Sequence, residues 1–94
     1  MKNLFFNCKC IKSIFFKNFN TNYITNMSHI FNRCSSLKEL KFVNFNTNNI
    51  INMSNLFYKC TSLEELDLSN FNTNNVNKMN SMFSGCSSLK KLNI

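Results

Sequence analysis

Phe19-Asn20-Thr21-Asn22 returns as Phe45-Asn46-Thr47-Asn48 and again as Phe71-Asn72-Thr73-Asn74, each time after 26 residues. The same step links Met27, Met53 and Met79; Phe31, Phe57 and Phe83; Cys34, Cys60 and Cys86; and Leu37, Leu63 and Leu89. Residues 19–44 and 45–70 are identical at 15 of 26 positions. Counting backwards, Phe5 falls under Phe31, Cys8 under Cys34, Ile11 under Leu37 and Ile14 under Leu40. Residues 1–94 thus read as a single repeat array: a partial copy (1–18), two full copies (19–44 and 45–70) and a nearly complete one (71–94). Repeats of this length signal an architecture in which a unit buries its apolar face only against its neighbours.

Two periods run inside each copy. Met27, Ile30, Phe31 and Cys34 are spaced i, i+3, i+4, i+7, as are Met53, Leu56, Phe57 and Cys60, which predicts a two-turn amphipathic helix. Thr25, Asn26 or Asn52 could cap its start, a role Lys78 cannot fill. After a polar pair such as Ser35-Ser36, Leu37-Lys38-Glu39-Leu40-Lys41-Phe42 alternates with the period of a half-buried strand. The expectation is an α/β repeat solenoid, leucine-rich-repeat-like, with one short parallel strand and one short helix per 26-residue repeat. One Gly, no Pro and 20 Asn leave the turns to Asn, Ser and Thr, whose side chains bond nearby backbone.

Residues 63–89, Leu-x-x-Leu-Asp-Leu-Ser-Asn-Phe-Asn-Thr-Asn-Asn-Val followed by Asn-Lys-Met-Asn-Ser-Met-Phe-Ser-Gly-Cys-Ser-Ser-Leu, closely resemble the BspA-like leucine-rich repeat. That family occurs in bacterial surface proteins and lipoproteins, including mycoplasma lipoproteins, and in some protists. The resemblance covers essentially the whole chain. It implies a curved solenoid, secreted or held at the cell surface, that binds host matrix proteins or other cells. The first copy departs from the pattern, with Lys9 and Cys10 where the others carry Ser-Ser or Thr-Ser. No leader, capping repeat or anchor is visible, which suggests a fragment, a degraded paralogue or a truncated chain.

Net charge is +7, running +4, +2, −2 and +3 along the four copies. This alternation suits a solvated surface better than a nucleic-acid or anionic-membrane footprint, although a basic nucleic-acid-binding module stays as the minor alternative. No apolar run approaches the 18 or more residues of a membrane span. Lys9, Lys12 and Lys17 break the apolar stretch that a signal peptide needs.

With one histidine and four acidic residues, the chain offers no Ser/His/Asp, Cys/His or paired-carboxylate arrangement, so no enzyme, small-molecule substrate or cofactor is expected. Cys8, Cys34, Cys60 and Cys86 share one column with the apolar stripe and read as small core side chains, beside Phe5, Phe31, Phe57, Phe83 and Met27, Met53, Met79. Phe19, Phe45 and Phe71 are placed in the core as well. Cys8-Lys9-Cys10 has the wrong spacing for a zinc pair, and Cys10 reads as a free, partly exposed thiol. His29 is read as a solvated surface residue. The outward strand positions make the candidate binding face for a protein ligand, a host or matrix protein by the resemblance: Ser13, Phe15, Lys17; Glu39, Lys41, Val43; Glu65, Asp67, Ser69; Lys91, Asn93. On that face Lys41 would oppose Asp67 favourably and Glu39 would oppose Glu65 unfavourably. The remaining reading is a structural spacer with no ligand of its own.

Overall fold

The structure, a computed structural model, describes all of residues 1–94. Four strands carry the alternating segments: β1 (Ser13–Lys17), β2 (Glu39–Val43), β3 (Glu65–Asp67) and β4 (Lys91–Asn93). β1 pairs with β2 in parallel, Ser13 opposite Glu39 through Lys17 opposite Val43. β3 pairs likewise with β4, Glu65 opposite Lys91 through Asp67 opposite Asn93. Both registers equal the 26-residue repeat. Isolated parallel bridges join Asn26 to Asn52 and Asn52 to Lys78 at the same offset. Equivalent residues of successive copies therefore lie over one another, with Phe16, Leu40 and Leu66 buried on the inner side of their strands.

The expected helix does not form. Residues 27–34 and their counterparts are a train of tight turns with a left-handed residue at every fourth position. His29 (φ 60°) and Arg33 (φ 62°) recur as Asn55 and Lys59, as Ser81 and Gly85, and as Asn3 and Asn7. Right-handed helix cannot continue through such residues. Alternate N–H groups turn outward to the next copy: His29, Phe31 and Arg33 donate to the carbonyls of Ser54, Leu56 and Tyr58 at 3.1, 3.0 and 2.7 Å. Those between them close local turns, Asn32 to the His29 carbonyl and Cys34 to that of Phe31. Spacing decides the outcome. Strands stack about 4.8 Å apart, whereas packed helices need 8–10 Å between axes. The rings of Phe31 and Phe57 stack 5.6 Å apart and 2° from parallel, and those of Phe57 and Phe83 5.7 Å apart. Turns that share backbone bonds with the next copy match the strand spacing on the other side of the layer, and a two-turn helix would be marginal anyway. The two asparagines expected to cap the helix instead close turns, Asn26 and Asn52 Oδ1 accepting the N–H groups of Ser28 and Ser54 at 2.8 and 2.9 Å.

Met27, Ile30, Phe31 and Cys34 are buried nonetheless, as are Met53, Leu56, Phe57 and Cys60. Phe5, Phe83, Cys8 and Cys86, in the outer copies, are only half-buried. Two core assignments are corrected. Met79 is 46% exposed and Phe19 40% exposed, because each has a counterpart in its column on one side only, Met53 for Met79 and Phe45 for Phe19, whose rings stack 6.2 Å apart. In the loops, Asn20, Asn46 and Asn72 Oδ1 accept the N–H two residues on. Thr47 Oγ1 ties its copy to the next, donating to the Asn72 carbonyl at 3.1 Å and accepting the Asn72 N–H at 2.8 Å.

Candidate functional site

Every outward strand position is solvent-exposed: Ser13, Phe15 and Lys17 on β1, Glu39, Lys41 and Val43 on β2, Glu65, Asp67 and Ser69 on and just past β3, Lys91 and Asn93 on β4. The parallel registers gather them on one face. Two large apolar side chains stand on it, Phe15 at 61% exposure and Val43 at 46%. Lys41 Nζ sits 5.9 Å from the centre of the Phe15 ring, within the range of a cation–π contact, and 3.4 Å from Glu39 Oε1. Phe15, Lys41 and Glu39 thus form one cluster across β1 and β2.

The two charge pairs expected across β2 and β3 are not made. Lys41 turns to Glu39 on its own strand, and Asp67 accepts the Ser69 N–H at 2.9 Å. The Ser69 hydroxyl and N–H, then the Asn93 amide and the Lys91 charge, hold the Asp67 carboxyl below its usual range. β2 and β3 share no ladder at all, so the face is two two-stranded sheets with a seam between them. In the column Ser13, Glu39, Glu65, Lys91, the laddered junctions set serine against glutamate and glutamate against lysine. The junction without a ladder is the one that would set Glu39 against Glu65, and like charges directly opposite are unfavourable.

The seam opens into two clefts. One, of about 630 Å³, runs along Leu40–Asn46 to Asp67, Asn70 and Phe71. The other, of about 580 Å³, is lined by Lys38, Glu39, Lys41, Glu64, Glu65, Asp67, Lys91 and Asn93 among others. All four carboxylates of the chain line it, in a molecule whose net charge is +7. Lys38, Glu64, Asn70 and Phe71 were not among the predicted face residues. They lie just outside the strands, where alternation says nothing, and the clustering of the acids between residues 39 and 67 was the available signal.

The cysteine column is structural. Cys34, Cys60 and Cys86 thiols donate to the carbonyls of Phe5, Phe31 and Phe57 at 3.1, 3.0 and 3.0 Å. Each carbonyl also accepts a Cys N–H from its own copy, Cys8, Cys34 and Cys60 in turn. Burial pushes the Cys34 thiol up to about 11, and it raises Cys60 and Cys86 as well. None of the five cysteines is in a disulfide, and Cys10 is exposed. No three His, Cys, Asp or Glu side chains converge as a metal site. His29 departs from its expected solvated state. It is half-buried, its Nδ1 accepts from Asn32 Nδ2 at 2.8 Å, and Phe6 meets its ring edge-on with centroids 6.5 Å apart. No helix is long and apolar enough to cross a membrane.

Residues 1–93 match a protein family described as "Mycoplasma protein of unknown function, DUF285". No curated protein and no solved structure matches the chain.

Proposed function

Because this chain belongs to the DUF285 family of mycoplasma proteins, whose function is unknown, we propose from its own surface that it is a non-catalytic protein-interaction module. In this reading it is a leucine-rich-repeat-like solenoid segment of the BspA type, working at the cell surface or after secretion as part of an adhesion-type protein, with a host or matrix protein as ligand. The strand face is the binding surface. The observation that carries the reading is the pairing there of exposed apolar anchors, Phe15 and Val43, with the charge-lined seam between β2 and β3. Interfaces draw most of their energy from a few aromatic or apolar anchors set among polar groups. No other part of the molecule brings together exposed apolar side chains and every carboxylate of the chain.

The test measures binding of the purified chain to immobilised host matrix proteins and to intact host cells. A Phe15→Ser/Val43→Ser variant should bind about tenfold or more weakly, the loss expected of removed anchors. Both side chains are already exposed, so circular dichroism should show an unchanged fold. Ligand binding that survives this change, and also survives Glu39→Ala with Glu65→Ala, rules the face out.

A further inference from the structure

The loops that follow β1, β2 and β3 are free of charge. Residues 18–25, 44–51 and 70–77 contain no Lys, Arg, Asp or Glu, although the chain has 11 basic and 4 acidic residues. Three columns of asparagine run through these loops, headed by Asn18, Asn20 and Asn22, and Tyr23 heads a fourth with Asn49 and Asn75. All of these side chains are exposed, Tyr23 at 94%. The middle loop has a counterpart on both sides, yet Asn44, Asn46, Asn48 and Asn49 still face solvent. Exposure here belongs to the loop and not to its place in the stack.

Most of these amides are held by one end. Asn20 and Asn46 Oδ1 accept the N–H two residues on, which leaves both Nδ2 groups without a partner in the chain. Asn49 and Asn75 do the opposite: Nδ2 donates to the carbonyls of Asn22 and Asn48 at 2.8 and 2.6 Å, and Oδ1 is left over. Asn22 and Asn74 bond within the loops through backbone groups alone, their N–H groups donating to Asn20 and Asn72 Oδ1, so both ends of their amides are free. The loops therefore display fixed donors, fixed acceptors and whole amides in parallel columns, one layer about 4.8 Å from the next. That step is close to the length of one pyranose unit in a polysaccharide.

We propose that the asparagine loops bind a neutral glycan laid across successive copies, its hydroxyls bonded by the free amide ends and one pyranose ring stacked on Tyr23. A nucleic acid or an anionic lipid is recognised by cations, and these loops have none. A neutral sugar needs what is present. Its hydroxyls both accept and donate, matching the two ends of an amide, and the apolar face of its ring can cover an exposed tyrosine. Amides already pinned in the loops lose little freedom on binding, which favours a ligand whose single contacts are weak. Repetition adds to this, because a chain of hexoses meets the same groups in each copy it crosses. The site is independent of the strand face, and neither reading requires the other.

The experiment is retention of the whole chain on immobilised dextran, galactan and mannan, with heparin as the charged control. At least one of the neutral polymers should retain the chain, equally from about 0.01 M to about 1 M salt, because no charge takes part. A free oligosaccharide of that polymer should elute the chain better than the single hexose does. Asn22→Ala and Asn74→Ala remove amides that the fold does not use. Each should weaken binding about threefold to tenfold and leave the urea midpoint where it was. Tyr23→Ala should weaken it likewise, whereas Phe15→Ser, on the strand face, should leave retention unchanged. Retention by none of the neutral polymers overturns the proposal, as does retention by heparin alone. Binding that Phe15→Ser abolishes and the loop substitutions leave intact moves the site to the strand face and overturns it too.

Discussion

A side chain on a left-handed backbone costs roughly 1–2 kcal/mol, and this chain accepts that cost at His29, Arg33, Lys59 and Ser81. Gly85 is the one member of its column free of it. Its φ is +79°, and a Cβ built there would come within 2.9 Å of Lys59 Cγ and 3.3 Å of Lys59 Cα. Gly85→Ala should therefore destabilise the fold by about 1–2 kcal/mol, and Lys59→Gly should stabilise it by about 1 kcal/mol, both read from urea unfolding. The cysteines make a second residue-scale prediction. Cys34 rises from an ordinary value near 9.0 to about 11, with burial the main cause. A thiol whose proton is held more tightly in the folded state contributes stability that is complete below the unfolded value. That contribution is lost as pH climbs through the folded value. The Cys34 contribution should accordingly be whole below pH 9 and be lost between about pH 9 and 11, and Cys34→Ala should make the fall in that window shallower, with Cys60 and Cys86, also raised by burial, supplying the rest. Thiol labelling of the native chain should mark Cys10 first and leave Cys34 and Cys60 untouched until unfolding.

The strands were legible in the sequence and the turn segments were not, for one reason. Alternation such as Leu40-Lys41-Phe42 has a single structural solution, but the spacing i, i+3, i+4, i+7 has two. A helix turns Met27, Ile30, Phe31 and Cys34 to one side, and so does a train of turns with a left-handed residue at every fourth position. The signal that separates them is Asn3 with Asn7, Asn55, and the chain's single glycine at 85, each in a column four residues from the other. Far-ultraviolet circular dichroism should accordingly lack the helical double minimum, and a helical spectrum would overturn the turn assignment of residues 27–34. The seam was half legible. Repeat periodicity treats all three strand junctions alike, yet only one would stack two glutamates. Glu39→Gln, which removes the like charge against Glu65 and leaves the Glu65–Lys91 junction intact, should close the seam, extend the ladder through all four strands and stabilise the fold by up to about 1 kcal/mol, measured as a shift in the urea midpoint. Unchanged stability would assign the interruption to something other than charge.

Across the whole molecule, stability comes from contact between layers and not from any layer alone. The two middle copies have neighbours on both sides, and the phenylalanine column shows the consequence: Phe31 and Phe57 are wholly buried, Phe5 and Phe83 half-buried. Removing a ring from the middle should cost about 3–5 kcal/mol, so Phe57→Ala is expected near that range. Phe5→Ala, which exposes no second layer, should cost clearly less. If the column were merely a row of independent contacts, the two losses would be alike. The same asymmetry belongs to the backbone. The N–H groups of Phe31 and Phe57 are bonded to the next copy, whereas that of Phe83 has no acceptor. Native-state hydrogen exchange should therefore be slow at Phe31 and Phe57 and fast at Phe83 in the monomer. Slow exchange at Phe83 would require an acceptor elsewhere in the chain, which this arrangement of turns does not supply.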